Sequence, residues 1–125
     1  MCIVVYKPAG KELSEQTLRI CNQNNSDGAG FMYVEDDKLH VHKGFFTFEK
    51  FWEEYKEHQN KQAVLHFRIM TDGVKDRFNC HPFYVTDNMA VAHNGVLRDY
   101  RTKADATVSD TYNFVVQTLQ PLATT

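Results

Sequence analysis

Cys2 is the residue on which chemistry is easiest to build, because it stands directly after Met1. A free thiol has a pKa near ~8.5, so only a few per cent is nucleophilic thiolate at neutral pH. Such a thiol needs a base. Removal of an initiator methionine ahead of a small residue leaves Cys2 with an α-amine on its own backbone, and that amine titrates near ~7.7–8.0. The competing reading of Cys2 is a small apolar side chain buried at a strand start, a common fate of free cysteine. Arg68 ends the apolar run Ala63-Val64-Leu65-His66-Phe67. Its guanidinium suits two-pronged binding of a carboxylate, and equally an internal ion pair. Asn94-Gly95 is the favoured dipeptide of a two-residue hairpin turn. Ser109-Asp110 has the residue types that open a helix. The six histidines and three cysteines include no HExxH and no CxxC. A metal hydrolase using His66, Cys80, His81 and His93 is therefore the weakest reading.

These residues sit in segments that follow one another in a fixed order. They are Met1-Cys2, Asn25-Ser26-Asp27-Gly28-Ala29-Gly30-Phe31, His66-Phe67-Arg68-Ile69-Met70-Thr71-Asp72-Gly73, Asn79-Cys80-His81-Pro82-Phe83, Ala92-His93-Asn94-Gly95 and Ser109-Asp110-Thr111. Together they resemble the class II glutamine amidotransferases, which belong to the N-terminal nucleophile hydrolases. The resemblance runs from Cys2 to about Leu119. It implies that Cys2 attacks the side-chain amide of L-glutamine and releases glutamate, with ammonia passing to an acceptor on a partner. It gives Arg68 the glutamine α-carboxylate and Asp110 the α-ammonium. The Asn94 side-chain amide and the Gly95 N–H become the donors of an oxyanion hole. Thr71, Asp27, Gly28 and His81 match positions around the pocket, in support or in direct contact. A synthase subunit or a second copy of the chain is the implied partner, and no cofactor or metal is expected. Ile69 stands where many family members carry an aromatic residue, and Asp72 where many carry histidine. The alternative on the same fold is a catalytically weak or inactive module that binds a small ligand or docks a protein.

The elements that must position these residues follow from periodicity and turn chemistry. Ile3-Val4-Val5-Tyr6 reads as a buried strand. Ser14 caps a helix to about Gln23, on which Leu18 and Cys21 share a face. The turn formers from Asn22 to Gly28 lead into a strand over Ala29–Val34, which pairs with Lys38–His42 across Glu35-Asp36-Asp37. Thr47 caps a helix to about His58 with Phe48, Phe51, Trp52 and Tyr55 at helical spacing. Gln62–Arg68 is a strand, and a loop runs from about Met70 to Asn79. Phe83-Tyr84-Val85 and Met89-Ala90-Val91-Ala92 pair around Asp87-Asn88. Arg98 to Val108 is a polar loop, and Ser109 to about Leu119 forms the last helix. Strands outnumber helices and come as hairpins, which predicts an α+β domain with largely antiparallel sheet. The resemblance sharpens this to an N-terminal nucleophile hydrolase-like α/β/β/α sandwich. The family's domain continues past the Ser-Asp-Thr helix, so the sandwich is expected to be incomplete at its C-terminal side.

The 125 residues are expected to form one domain over 1–125, with a core that needs no disulfide or metal staple. A hydrophobic fraction of 42% and a charged fraction of 24% are ordinary for a soluble protein. A formal charge of −2 lacks the basic footprint of a nucleic-acid binder. No apolar run approaches the roughly 18 residues of a membrane span, and the start lacks the leader of a signal peptide. These features predict a cytoplasmic protein that binds neither nucleic acid nor membrane.

Overall fold

Alternation along a strand decides this architecture. In the computed structural model, which describes residues 2–70, 73–101 and 107–123, Ala63, Leu65 and Phe67 point into a buried apolar layer. Val64, His66 and Arg68 lie on the opposite side of the same chain segment, as a side-chain period of two requires.

Strands β1 (Ile3–Lys7), β2 (Ala29–Glu35), β3 (Lys38–Phe45) and β4 (Ala63–Phe67) form a four-stranded sheet in the order β1-β4-β2-β3. All three pairings are antiparallel. β1 is an edge strand, zipped among the described residues only to β4. The β2–β3 hairpin turns through Asp36 and Asp37, whose φ angles of 54° and 60° are both positive. Aspartate tolerates that left-handed region better than most residues, and two positive φ angles match the right-handed twist of the flanking strands.

Two helices cover one face of this sheet. α1 (Glu15–Asn24) begins where the Ser14 hydroxyl accepts the Thr17 N–H at 3.1 Å. α2 (Phe48–Tyr55) begins where the Thr47 hydroxyl accepts the Lys50 N–H at 3.3 Å, and a 3₁₀ turn over Lys56–His58 extends it. Leu18, Phe31, Phe51, Tyr55, Leu65 and Phe67 are wholly excluded from solvent between helices and sheet. Phe31 meets Phe51 and Tyr55 edge-on, with ring centroids 5.9 and 5.4 Å apart. Such pairs add about 0.5–1.5 kcal/mol beyond their burial.

Against the other face lies a two-stranded antiparallel sheet, β5 (Phe83–Thr86) and β6 (Met89–Val91). Behind it, α3 (Asp110–Phe114), a π-helical turn over Val115–Leu119 and α4 (Gln120–Ala123) continue as one helical stretch. Phe83, Val85 and Val115 form this smaller core with Val91, Tyr112 and Leu119. The layers are thus helices, sheet, sheet, helix, in an α+β domain of antiparallel sheets. The second sheet has two strands among the described residues.

The two sheets approach closely because β2 carries glycine where they meet. A Cβ on Gly30 would sit 2.0 Å from the His81 carbonyl oxygen, which no side chain tolerates. Lys43 from β3 crosses the same gap, its Nζ 4.2 Å from the Phe83 ring centroid and 3.2 Å from the Phe78 carbonyl. Burial pushes that ammonium down to about 8. Among the described residues no helix is long and apolar enough to cross a membrane.

Candidate active site

The site is laid out by strand register. Ile3 and Ala29 both pair with Phe67, one from each side. One step further along places Cys2, Arg68 and Gly28 in a row across three strands, on the face turned toward the second sheet. The Arg68 N–H donates to the Gly28 carbonyl at 2.9 Å, and the Asp27 N–H donates to the Arg68 carbonyl at 2.9 Å. Cys2 is held at its sulfur. The Ile69 N–H points at Sγ from 3.4 Å, and the thiol points at the Ile69 carbonyl from 3.5 Å.

The electrostatics of the thiol are mixed. Burial pushes its pKa up. The Ile69 N–H and the Arg68 guanidinium pull the other way, and the Asp110 carboxylate pushes up again. Both charged residues therefore reach the sulfur, one of each sign. With burial dominant, Cys2 is a neutral thiol at pH 7.

Arg68 is almost fully buried, and its Nη1 donates to the Val74 carbonyl at 2.8 Å. Asp27 uses its carboxylate to accept the Met70 N–H at 2.9 Å, fixing the chain just beyond Arg68. Gly28 has a φ of 132°, and a Cβ there would meet the Cys80 sulfur at 2.4 Å. Backbone conformation and space both demand glycine at that position. Thr71 and Asp72 lie outside the described residues.

Asp110 combines two jobs. Ser109 is the N-cap of α3, its hydroxyl accepting the Thr111 N–H at 3.2 Å. Asp110 follows as the first helical residue, with Oδ1 accepting the same N–H at 2.7 Å. Its Oδ2 reaches back to the Leu97 N–H at 2.6 Å, tying the segment after Asn94-Gly95 to the helix start.

Asn94-Gly95 is not a hairpin tip. β6 ends at Val91, and the chain runs on to a 3₁₀ turn at Arg98–Tyr100. Gly95 has a φ of 135°, outside the left-handed range that a two-residue hairpin uses. The Asn94 side chain is exposed and makes no hydrogen bond among the described residues. Its place is set by His93, whose N–H donates to His81 Nδ1 at 3.0 Å and whose carbonyl accepts from His66 Nε2 at 3.0 Å. His66 pairs with Val4 across β1, so this anchor lies two residues along the strands from the Cys2–Arg68 pair.

His81 is buried, with its ring 4.0 Å from that of His66 and only 7° off parallel. Burial pushes His66 down to about 4 and His81 well below the ordinary histidine range. Both rings are neutral at pH 7.

Two residues matter here in ways the sequence did not suggest, where His66 reads only as a candidate metal ligand and Asn79 only as part of a matching segment. His66 shares its face with Arg68, and a count of two along β4 is the signal that would have found it. Asn79 is a hub between loop and helix. Its side-chain amide donates to the carbonyls of Val74 (3.3 Å) and Thr107 (2.7 Å) and to Asp76 Oδ1 (3.0 Å), and its Oδ1 accepts the Ser109 N–H at 2.7 Å. A Cβ on Gly73, whose φ is 80°, would press on that amide at 2.9 Å. Among the described residues no three His, Cys, Asp or Glu side chains gather to hold a metal.

The geometry so far comprises a thiol at a strand start, a buried arginine beside it, a carboxylate whose charge reaches it, and an Asn-Gly pair on a pinned loop. Comparison with known proteins agrees with the resemblance in sequence. The family described as Glutamine amidotransferases class-II matches residues 16–118. The chain is 27% identical over 119 residues to the glutamine–fructose-6-phosphate aminotransferase (isomerizing) of Agrobacterium fabrum, covering 93% of this chain and 19% of that protein. It is 25% identical over 123 residues to the enzyme of that name from Zymomonas mobilis, covering 94% of this chain and 20% of the relative. A 56-residue stretch is 38% identical to the Mesorhizobium japonicum enzyme, 45% of this chain and 9% of that one. The chain therefore spans at most about a fifth of the length of these relatives. With the family's sequence pattern covering most of its length, the chain belongs to the class II glutamine amidotransferases.

Proposed function

We propose that this domain hydrolyses the side-chain amide of L-glutamine with Cys2 as an N-terminal nucleophile. The observation that carries the reading is the register row that seats Cys2 across from Arg68, with the charge of Asp110 reaching the same sulfur. An amino acid zwitterion needs one partner of each sign, and these two residues supply them beside a nucleophile.

Met1 is first removed, which frees the α-amine of Cys2. That amine takes the thiol proton as sulfur attacks the amide carbon. The Asn94 side chain and the Gly95 N–H donate to the oxygen as it becomes negative. The intermediate collapses, the C–N bond breaks, and the amine returns its proton to the leaving nitrogen, which departs as ammonia. Water then adds to the glutamyl thioester with the amine as base, releasing glutamate and restoring the thiol. An amine titrating near ~7.7–8.0 is about half unprotonated at mildly alkaline pH and so can take the thiol proton. The names of the relatives join glutamine to fructose 6-phosphate. By analogy, ammonia released here passes to an acceptor held by a synthase partner.

Two measurements on purified protein test this. Intact mass spectrometry is expected to show loss of the initiator methionine, and a coupled assay is expected to show glutamate release by wild type. Cys2→Ser is expected to lower that release by about a thousandfold or more. Full activity in protein that retains Met1 contradicts the mechanism. Glutamine binding without turnover, unchanged by Cys2→Ala, assigns the domain to ligand sensing instead.

A further inference from the structure

We propose that His66 and His81 are positioning residues that clamp the two peptide groups flanking His93 and so hold Asn94 and Gly95 in donor geometry. The inference rests on the reading of Asn94-Gly95 as an oxyanion hole.

The two imidazoles come from different layers. His66 stands in the middle of the four-stranded sheet on β4, and His81 lies at the entry to β5. They stack at 4.0 Å and 7°, and each holds one side of the same residue. His81 Nδ1 accepts the N–H of the 92–93 peptide. His66 Nε2 lies 3.0 Å from the carbonyl of the 93–94 peptide. A peptide group is planar, so fixing the His93 carbonyl fixes the Asn94 N–H and the position of the Asn94 Cα. Leu97 is held in turn by Asp110, which pins the far side of Asn94-Gly95. The loop that carries the donors is thus anchored before and after them. A misplacement of about 1 Å in such a group costs on the order of a hundredfold in rate, so the anchors bear on turnover.

The bonds demand particular tautomers. A carbonyl accepts only, so His66 carries its proton on Nε2. A backbone N–H donates only, so His81 Nδ1 is bare. Both demands are met by neutral rings, which is the state that burial imposes.

These tautomers make the test specific. The Oδ1 of asparagine overlays His Nδ1 as an acceptor, and the Nε2 of glutamine overlays His Nε2 as a donor. All four of His81→Asn, His81→Gln, His66→Gln and His66→Asn lose the ring stack, so packing loss is common to them. If the bonds position the loop, kcat of His81→Asn exceeds that of His81→Gln by about tenfold, and kcat of His66→Gln exceeds that of His66→Asn by about tenfold. KM for glutamine agrees within about twofold across each pair, because the clamp acts on the oxyanion and not on the zwitterion clamp. Equal kcat within both pairs, in a wild type that releases glutamate, overturns the clamp and leaves the glutaminase reading intact. A wild type that releases no glutamate overturns that reading, and the oxyanion role with it. Nitrogen-15 spectra of wild-type imidazoles decide the contacts even where a variant fails to fold. Both rings are expected as Nε2–H tautomers with a slowly exchanging His93 amide, and an Nδ1–H tautomer at His81 overturns the proposal.

Discussion

Cys2, Arg68 and Asn94 carry the most direct tests. Charge-assisted hydrogen bonds contribute about 1.5–3 kcal/mol, so Arg68→Lys, which surrenders the planar fork, is expected to raise KM for glutamine about 10- to 100-fold in steady-state assays. Removing an oxyanion donor typically costs about 10²–10³ in kcat, the expected result for Asn94→Ala with KM little changed. Equal changes in both parameters for both variants argue against separate roles. The sequence singles these residues out through the order of the segments that carry them. What could not be read was how they are held. The Ile69 contacts of the Cys2 sulfur and the return of Asp110 to Leu97 depend on pairings far apart in the chain. Asp110 reads from sequence as a helix cap or a substrate partner, and in the fold its carboxylate serves the cap while its charge also reaches the thiol.

Elements came through the sequence well where amphipathic period and capping agreed. Ser14 and Thr47 start their helices as expected, and the Asp87-Asn88 turn joins β5 to β6. Lengths were less legible. β3 continues to Phe45, past the expected end at His42, because its extra residues pair with Ala29 and Gly30. The last helix passes Leu119 and ends at Ala123. The close approach of the two sheets left only a glycine as its signature. Gly30→Ala is expected to destabilise the fold by about 1–3 kcal/mol or more in urea denaturation, since its Cβ meets backbone that cannot swing aside. Asn79→Ala removes the acceptor of the buried Ser109 N–H and the donor to the Val74 and Thr107 carbonyls. It is expected to cost about 1–3 kcal/mol by the same measurement. An unchanged midpoint for either variant contradicts the packing described.

At the scale of the whole molecule, stability should depend on pH through its buried histidines. Unfolded histidine takes a proton near 6.5, whereas folded His66 resists until about 4 and His81 is likewise held well below the ordinary range by burial. His42 and His58 are also pushed down, chiefly by burial. Their contribution is therefore complete above pH 6.5 and drains away as pH falls toward the folded values. Urea midpoints are expected to be lower at about pH 5.5 than at about pH 7.5, a range in which carboxylates stay mostly ionised. A flat profile would show that these rings are solvated in the native state. The layered α+β plan was legible as a class, but the sheet order β1-β4-β2-β3 was not, since β1 pairs with a strand some 60 positions away. That order has a consequence for motion. Cys2 sits at the tip of a border strand with a single neighbour among the described residues, so peeling it off breaks one ladder, whereas freeing β4 breaks two. Amide protons of Ile3–Lys7 should accordingly exchange with deuterium sooner than those of Ala63–Phe67, and the end that carries Cys2 can unfasten while the rest of the sheet stays closed.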